Sequence, residues 1–217
     1  GAILHLLNDY NINKNQTSLY SAVKTLDSMF QGGIYDHIGG GFARYAVDEK
    51  WLVPHFEKML YDNAQLMEAY LVGYQLTDNE DYLTVISQIL EWLKDEMIDK
   101  GGGFYSSMDA DSEGVEGKYY VWKPEEIEDI LSENDAKIFN QYYDISRSGN
   151  WEGNSIPNVI MKKASLSTLL KIPESEIAIS LEKSRLAVKE QRNSRIAPDT
   201  DDKIIVSWNG AVVSYYY

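Results

Sequence analysis

The chain has no cysteine, which excludes disulfides, thiolate nucleophiles and cysteine-ligated zinc. It is also short of cations: 20 Lys and Arg stand against 34 Asp and Glu, a formal net charge of -14. Such a surface repels nucleic acid and anionic membrane, so neither is an expected partner. No apolar run approaches the roughly 18 residues of a membrane helix, and no basic start leads into an apolar block with a cleavage site. Nothing in the chain reads as spanning or targeting a membrane, and a cytoplasmic location is the expectation. Nor is there an unmistakable nucleophile, metal-ligand set or phosphate loop, so no cofactor or metal is expected.

What is present describes an ordinary core. The 217 residues are 44% hydrophobic and 25% charged, which suits a single globular domain. Aromatics are abundant, with 16 Tyr and 5 Trp. They serve either as large core side chains or as stacking surfaces for a sugar, and the core reading comes first.

Chemistry-bearing residues concentrate in one stretch, Gly32 to Asn63, GGIYDHIGGGFARYAVDEKWLVPHFEKMLYDN. It holds two of the 3 histidines, a glycine-rich turn system, Arg44 and Trp51, and the cluster His55, Glu57, Lys58, Asp62 and Asn63. A helix is expected before it, from about Ser18 to Phe30, where Leu19, Val23, Leu26 and Phe30 recur at helical spacing, and a short apolar helix at Ala2 to Leu7 precedes that. Pro54 suits the first turn of a helix, which predicts one continuous helix from there to about Leu76. On it His55, Met59, Asp62 and Leu66 would share one face, opposite Phe56, Leu60, Ala64 and Met67. Asp78 or Asn79 caps the next helix, whose stripe runs from Tyr82 to Met97. GGGFYSS at Gly101 to Ser107 echoes GGGFARY at Gly39 to Tyr45, and GNWEGNS at Gly149 to Ser155 is a weaker echo, suggesting one helical hairpin per glycine-rich loop. Further on, Lys118 to Trp122 reads as a short strand. PEEIEDIL from Pro124, Asn134 to Tyr143, Ile172 to Arg192 and Trp208 to Tyr217 read as helices. Both ends look abrupt, so a longer polypeptide is expected.

As candidate catalytic groups, His55 and Asp62 would sit two turns apart on one helix face, where a water or sugar hydroxyl bridges them as an acid–base pair. The competing reading is a capping or core histidine. Glu57 is a further carboxylate. Asp36, His37, Trp51 and Asn63 would bind a polar ligand, and Arg44 offers a fixed fork for a carboxylate or paired hydroxyls. The acidic run Met108 to Gly117 begins like a calcium loop with Asp109 and Asp111, but Tyr120 stands where the bidentate glutamate belongs. Its acids are better read as a hairpin facing solvent or a pocket mouth. Trp208 and Asn209 would add an aromatic platform to the rim; the bland alternative is a core tryptophan.

Taken in order, the Gly32 to Leu66 stretch, GGGFYSSMDADSEGVEGKYYVW, the GNWEG segment and DDKIIVSWNG resemble the YyaL and spermatogenesis-associated protein twenty family. The resemblance implies a thioredoxin-like domain joined to a helical toroid similar to six-hairpin glycosidases and N-acylglucosamine 2-epimerases. This chain would be the N-terminal portion of that (α/α)6 toroid, mainly α with short β-hairpin insertions. Ala43 stands where many members carry a histidine, and Met108 where an acid is common. The implied activity is a sugar epimerase or isomerase, or a glycosidase; the alternative is a non-catalytic glycan- or protein-binding scaffold. Implied partners are a small carbohydrate, the rest of the toroid and the thioredoxin-like domain, which is absent from this chain.

Overall fold

The computed structural model describes residues 1–216 in backbone and 1–214 in side chain. The fold is mainly α-helical. The helices are α1 (Ala2–Asn13), α2 (Gln16–Gln31), α3 (Leu60–Thr77), α4 (Glu80–Trp92), α5 (Pro124–Ile130), α6 (Glu133–Tyr142), α7 (Lys163–Leu170), α8 (Glu174–Arg192) and α9 (Val206–Tyr216). Sequence signals account for most starts: the side chains of Asn15, Asn79 and Ser132 accept backbone N–H groups in the first turns of α2, α4 and α6, and Pro124 opens α5. The helices pack in consecutive pairs, α1 on α2, α3 on α4, α5 on α6 and α7 on α8. A glycine-rich loop follows each of the first three pairs, as the echoes predict. Each loop closes on an isolated antiparallel bridge, Tyr35 with Phe42, Ile98 with Phe104 and Trp151 with Asn154.

Two short sheets join these loops. One has the order β1 (Lys58–Met59), β2 (Ser107–Met108), β5 (Thr200–Asp201), all antiparallel; the other pairs β3 (Asp111–Ser112) with β4 (Val115–Glu116). The turn between β3 and β4 places Glu113 and Gly114 at φ of 54° and 73°, the mirror-image geometry that suits a tight hairpin. The acidic run is thus a hairpin, with Asp109 and Asp111 exposed.

Two expectations are corrected. No helix begins at Pro54: residues 54–57 are non-helical, Ala46 bridges Pro54, Phe56 has φ 50°, and Lys58–Met59 pairs with β2, so the helix starts at Leu60. Pairing with a distant segment outweighs the local preference of proline for a first turn. His55 and Asp62 therefore share no helix face. Lys118 to Trp122 is likewise not a strand; its rings pack inward, and only Trp122 bridges Ser155. Smaller departures are the longer α1, the unforeseen α7, and a π-helical turn at Leu93–Met97 that continues α4. The last position of the expected Trp208 to Tyr217 helix lies outside the described residues.

The apolar interior has two main parts. One gathers Leu26, Phe42, Leu60, Met67, Tyr70, Tyr82, Trp92 and Val212 around α3; the other gathers Trp122, Ile127, Phe139, Leu166, Ile177 and Val188 among α5–α8. Helix α3 is central, touching α1, α2, α4 and α9. Among the described residues no helix is long and apolar enough to cross a membrane.

Candidate functional site

The glycine loop after α2 is built around a buried charge. Asp36 Oδ1 accepts the backbone N–H groups of Ile38 and Gly39, both 3.0 Å away, an Asx turn that shapes the loop. Its carboxylate also accepts from Lys58 Nζ at 2.8 Å and from Arg192 Nη1 at 2.8 and 2.9 Å. Arg192 and Lys58 are 0% and 2% exposed in side chain. Lys58 also donates to the Gly40 carbonyl at 2.7 Å, and lies over the rings of Trp92 and Tyr120. Burial would raise the Asp36 carboxyl, but the charges of Arg192 and Lys58 outweigh it and hold the group well below the usual carboxylate range. Burial pulls the Lys58 ammonium below an ordinary lysine even so. Asp36 is thus a structural anion at the junction of the two cores.

His37 is buried and packs against the rings of Phe30, Tyr35 and Tyr143, with Nε2–H donating to the Gly32 carbonyl at 3.1 Å. Burial lowers its pKa to about 4, so it is neutral near pH 7. Asn63 is fully buried: its Oδ1 accepts the N–H of Phe42 at 2.7 Å, and its Nδ2 donates to the carbonyls of Phe42 and Met59. Asn209 repeats this clamp on the next loop, accepting the N–H of Phe104 at 2.7 Å and donating to its carbonyl. The echo between the loops thus extends to tertiary contacts: an asparagine near a helix start pins the phenylalanine that follows the glycines.

A different set of residues reaches open space. Asp62 lines a cleft of about 340 Å³ together with Arg44, Tyr45, Trp51, Gln65 and Leu66. The loop that carries three of these folds back on itself: Arg44 N donates to Glu57 O at 2.8 Å, His55 N donates to Tyr45 O at 3.0 Å, and Asp48 accepts the N–H groups of Lys50, Leu52 and Val53. Arg44 reaches Glu57 side chain to side chain at 3.4 Å. His55 stacks on Tyr45 with ring centroids 4.9 Å apart, and its Nδ1 lies 2.9 Å from Glu116. Tyr61 meets the ring of Trp208 edge-on at 4.8 Å.

Within the cleft Asp62 is the anomalous group. Its Oδ2 is buried and has no hydrogen-bond partner among the described residues. Burial raises its pKa to about 6; Glu57 adds to the rise, while Arg44 and Tyr61 oppose it. Burial also raises the Tyr61 phenol, with Asp62 adding to the shift and Arg44 opposing it. A carboxyl that gains and loses its proton near neutrality is equipped for acid–base work. It also weakens the fold. Asp62 contributes fully to stability below the unfolded carboxyl pKa near 4, and that contribution is lost as pH rises through about 6. Asp62→Asn should therefore be more stable than the parent by about 1–2 kcal/mol at pH 7.5, after allowance for solvent screening, and equal to it at pH 4. Urea melts at the two pH values check this; the same gain at both would rule out ionisation as the cause.

Of the residues predicted from sequence, Asp62, Arg44 and Trp51 come together in the cleft, Glu57 and His55 stand beside it, and Trp208 approaches through Tyr61. Asp36, Asn63 and Asn209 are committed to the protein's own structure, His37 is buried among aromatic rings away from the cleft, and Asp109 and Asp111 lie on the exposed hairpin side. Tyr45, Tyr61 and Gln65 were missed, although Tyr61 and Gln65 flank Asp62 on the same helix. Arg192 had no local signal.

No family model matches the chain. It is 34% identical over 220 residues to human spermatogenesis-associated protein 20, an alignment covering 90% of this chain and 28% of that protein. The chain belongs to the spermatogenesis-associated protein 20 family. The mouse protein of that name is 33% identical over 222 residues, 89% of this chain and 28% of its own length. An uncharacterised protein of Caenorhabditis elegans is 33% identical over 226 residues, 93% and 31%. The chain thus spans about 28–31% of these relatives. Among solved structures it is similar to a family 76 glycoside hydrolase from a bovine Bacteroides thetaiotaomicron strain, with 17% identity and a TM-score of 0.44, over 85% of this chain and 33% of that one. A superposition that loose carries no argument about the family's chemistry.

Proposed function

We propose that this chain is a carbohydrate-active domain, the first part of an (α/α)6 toroid, in which Asp62 acts as the general acid and base. The supporting observation is the half-buried Asp62 carboxyl, raised to about 6 and unpartnered at Oδ2, in a cleft walled by Tyr45 and Trp51. Aromatic faces suit the apolar side of a sugar ring, and the carboxyl suits proton transfer to or from its oxygens. In the epimerase or isomerase form of the reaction, one group removes the proton next to the sugar carbonyl and another returns it on the opposite face. Asp62 takes one role, and His55, held by Glu116, stands at the rim for the other. In the hydrolase form Asp62 protonates the leaving oxygen and Glu57 is the second carboxylate. Trp51 and Arg44 hold the substrate, with Trp208 buttressing Tyr61.

The test uses the full-length polypeptide with a panel of reducing sugars in deuterium oxide and, separately, with glycosides. Deuterium exchange beside the carbonyl or release of new reducing ends is expected, and Asp62→Asn should lower the rate at least 100-fold. No turnover of any sugar, or turnover unchanged in Asp62→Asn, would remove this reading. The second reading is a non-catalytic scaffold that binds a glycan or protein beside a thioredoxin-like domain. It is favoured by the commitment of Asp36, Asn63 and Asn209 to internal contacts. Substitution of Asp62 would then change affinity with no reaction to lose.

A further inference from the structure

We infer that the cleft at Asp62 selects sugars bearing a carboxylate, hexuronates in place of neutral hexoses, through Arg44; this rests on the acid–base reading of the same cleft. Arg44 is the only Lys or Arg among the described residues lining it. Its side chain is 49% exposed, and its one ionic contact, Glu57 at 3.4 Å, is longer than the 2.7–2.9 Å typical of a well-made charged hydrogen bond. The guanidinium therefore keeps most of its fork for an incoming planar anion, which it grips through two parallel N–H groups.

Asp62 strengthens the choice. Its buried Oδ2 faces no donor, although Arg44 and Asp62 line the same cleft. When protonated, Asp62 is itself a donor. Beside Arg44, that added donor favours an acceptor-rich group. A carboxylate supplies two oxygens in one plane, whereas a neutral hexose leaves the guanidinium partly unsatisfied. Two features work against any anion: Glu57 holds on to Arg44, and the net charge of -14 opposes its approach. Both are testable, because the first can be removed by substitution and the second screened by salt.

Calorimetry on the full-length polypeptide with sodium D-glucuronate and with D-glucose decides the matter. Glucuronate should bind at least ten-fold more tightly. Arg44→Met, at an exposed position where folding is checked by circular dichroism, should erase that gap. Glu57→Gln should widen it several-fold by freeing the guanidinium. Equal binding of the two sugars, no binding of either, or a gap that survives Arg44→Met would overturn the inference. Turnover of neutral sugars without preference for glucuronate would overturn it while leaving the acid–base role of Asp62 intact. Tight, Arg44-dependent binding of glucuronate without turnover of any sugar would support the selectivity and remove the acid–base reading.

Discussion

Replacing Asp36 with alanine is expected to cost about 3–5 kcal/mol of stability, the penalty for leaving buried charge without its partner. Two cations depend on this carboxylate, Lys58 and Arg192, at 2% and 0% side-chain exposure. Neither can turn to water. Arg192 also faces Glu96 at 3.6 Å, but its Nε and Nη2 have no hydrogen-bond partner among the described residues, so Glu96 does not substitute for Asp36. The same carboxylate organises the Ile38–Gly39 turn, and its loss would loosen the loop that joins the two cores. Small domains are stable by only about 5–15 kcal/mol, so the variant should be poorly folded at 37 °C. The network also predicts acid lability. Because the Asp36 pKa is depressed in the fold, its contribution is present above the unfolded value near 4 and is lost as pH falls below it. Urea melts measure the cost directly, and a loss under about 1 kcal/mol would refute the account. Replacing all three charges together with apolar residues of similar size should recover part of the loss, since no orphaned charge remains.

The second large effect is expected at Gly40. This residue has φ 83°, and a Cβ there would lie 2.1 Å from the backbone oxygen of Gln88 in α4. A methyl group must then both adopt a left-handed backbone and push a helix away from the loop, and the Gly40 carbonyl is also the second acceptor of Lys58. The left-handed conformation costs about 1–2 kcal/mol, and overpacking against an immovable backbone about 1–3 more. Gly40→Ala should therefore lose about 2–5 kcal/mol. Gly102, in the echoing loop, is the control: its φ is 92°, but a Cβ there meets nothing within 4 Å. Gly102→Ala should show only the backbone cost, about 1–2 kcal/mol. Thermal melts that place the two variants at equal stability would show that the approach of α4 is not what demands glycine at position 40.

Periodicity made the helices legible because it is a local property: an apolar stripe on α2 or α4 and a capping Asn15 or Asn79 act within a turn or two. The glycine echoes were legible for the same reason, each loop needing backbone angles that glycine adopts readily. Helix α3 was misread at its start because the competing interaction, the pairing of Lys58–Met59 with Ser107–Met108, comes from a segment far along the chain. The partners of Lys58 follow the same rule, since Arg192 lies 156 residues from Asp36 and no spacing motif connects them.

From the sequence alone came the helical class, the succession of helix pairs and glycine-rich loops, and the excess of acidic charge. These follow from composition and short-range pattern. Only the tertiary structure separated the polar residues of Gly32 to Asn63 into those that serve the fold and those that face solvent. Asp36, His37 and Asn63 are as polar as Arg44 and Asp62, and nothing local tells them apart. What divides them is desolvation: Asp36 and Asn63 are buried and find partners, whereas Asp62 is partly buried beside a cleft and lacks one at Oδ2. Whether a polar group has satisfied its bonds depends on what the rest of the chain brings to it, and that is decided by packing across the fold.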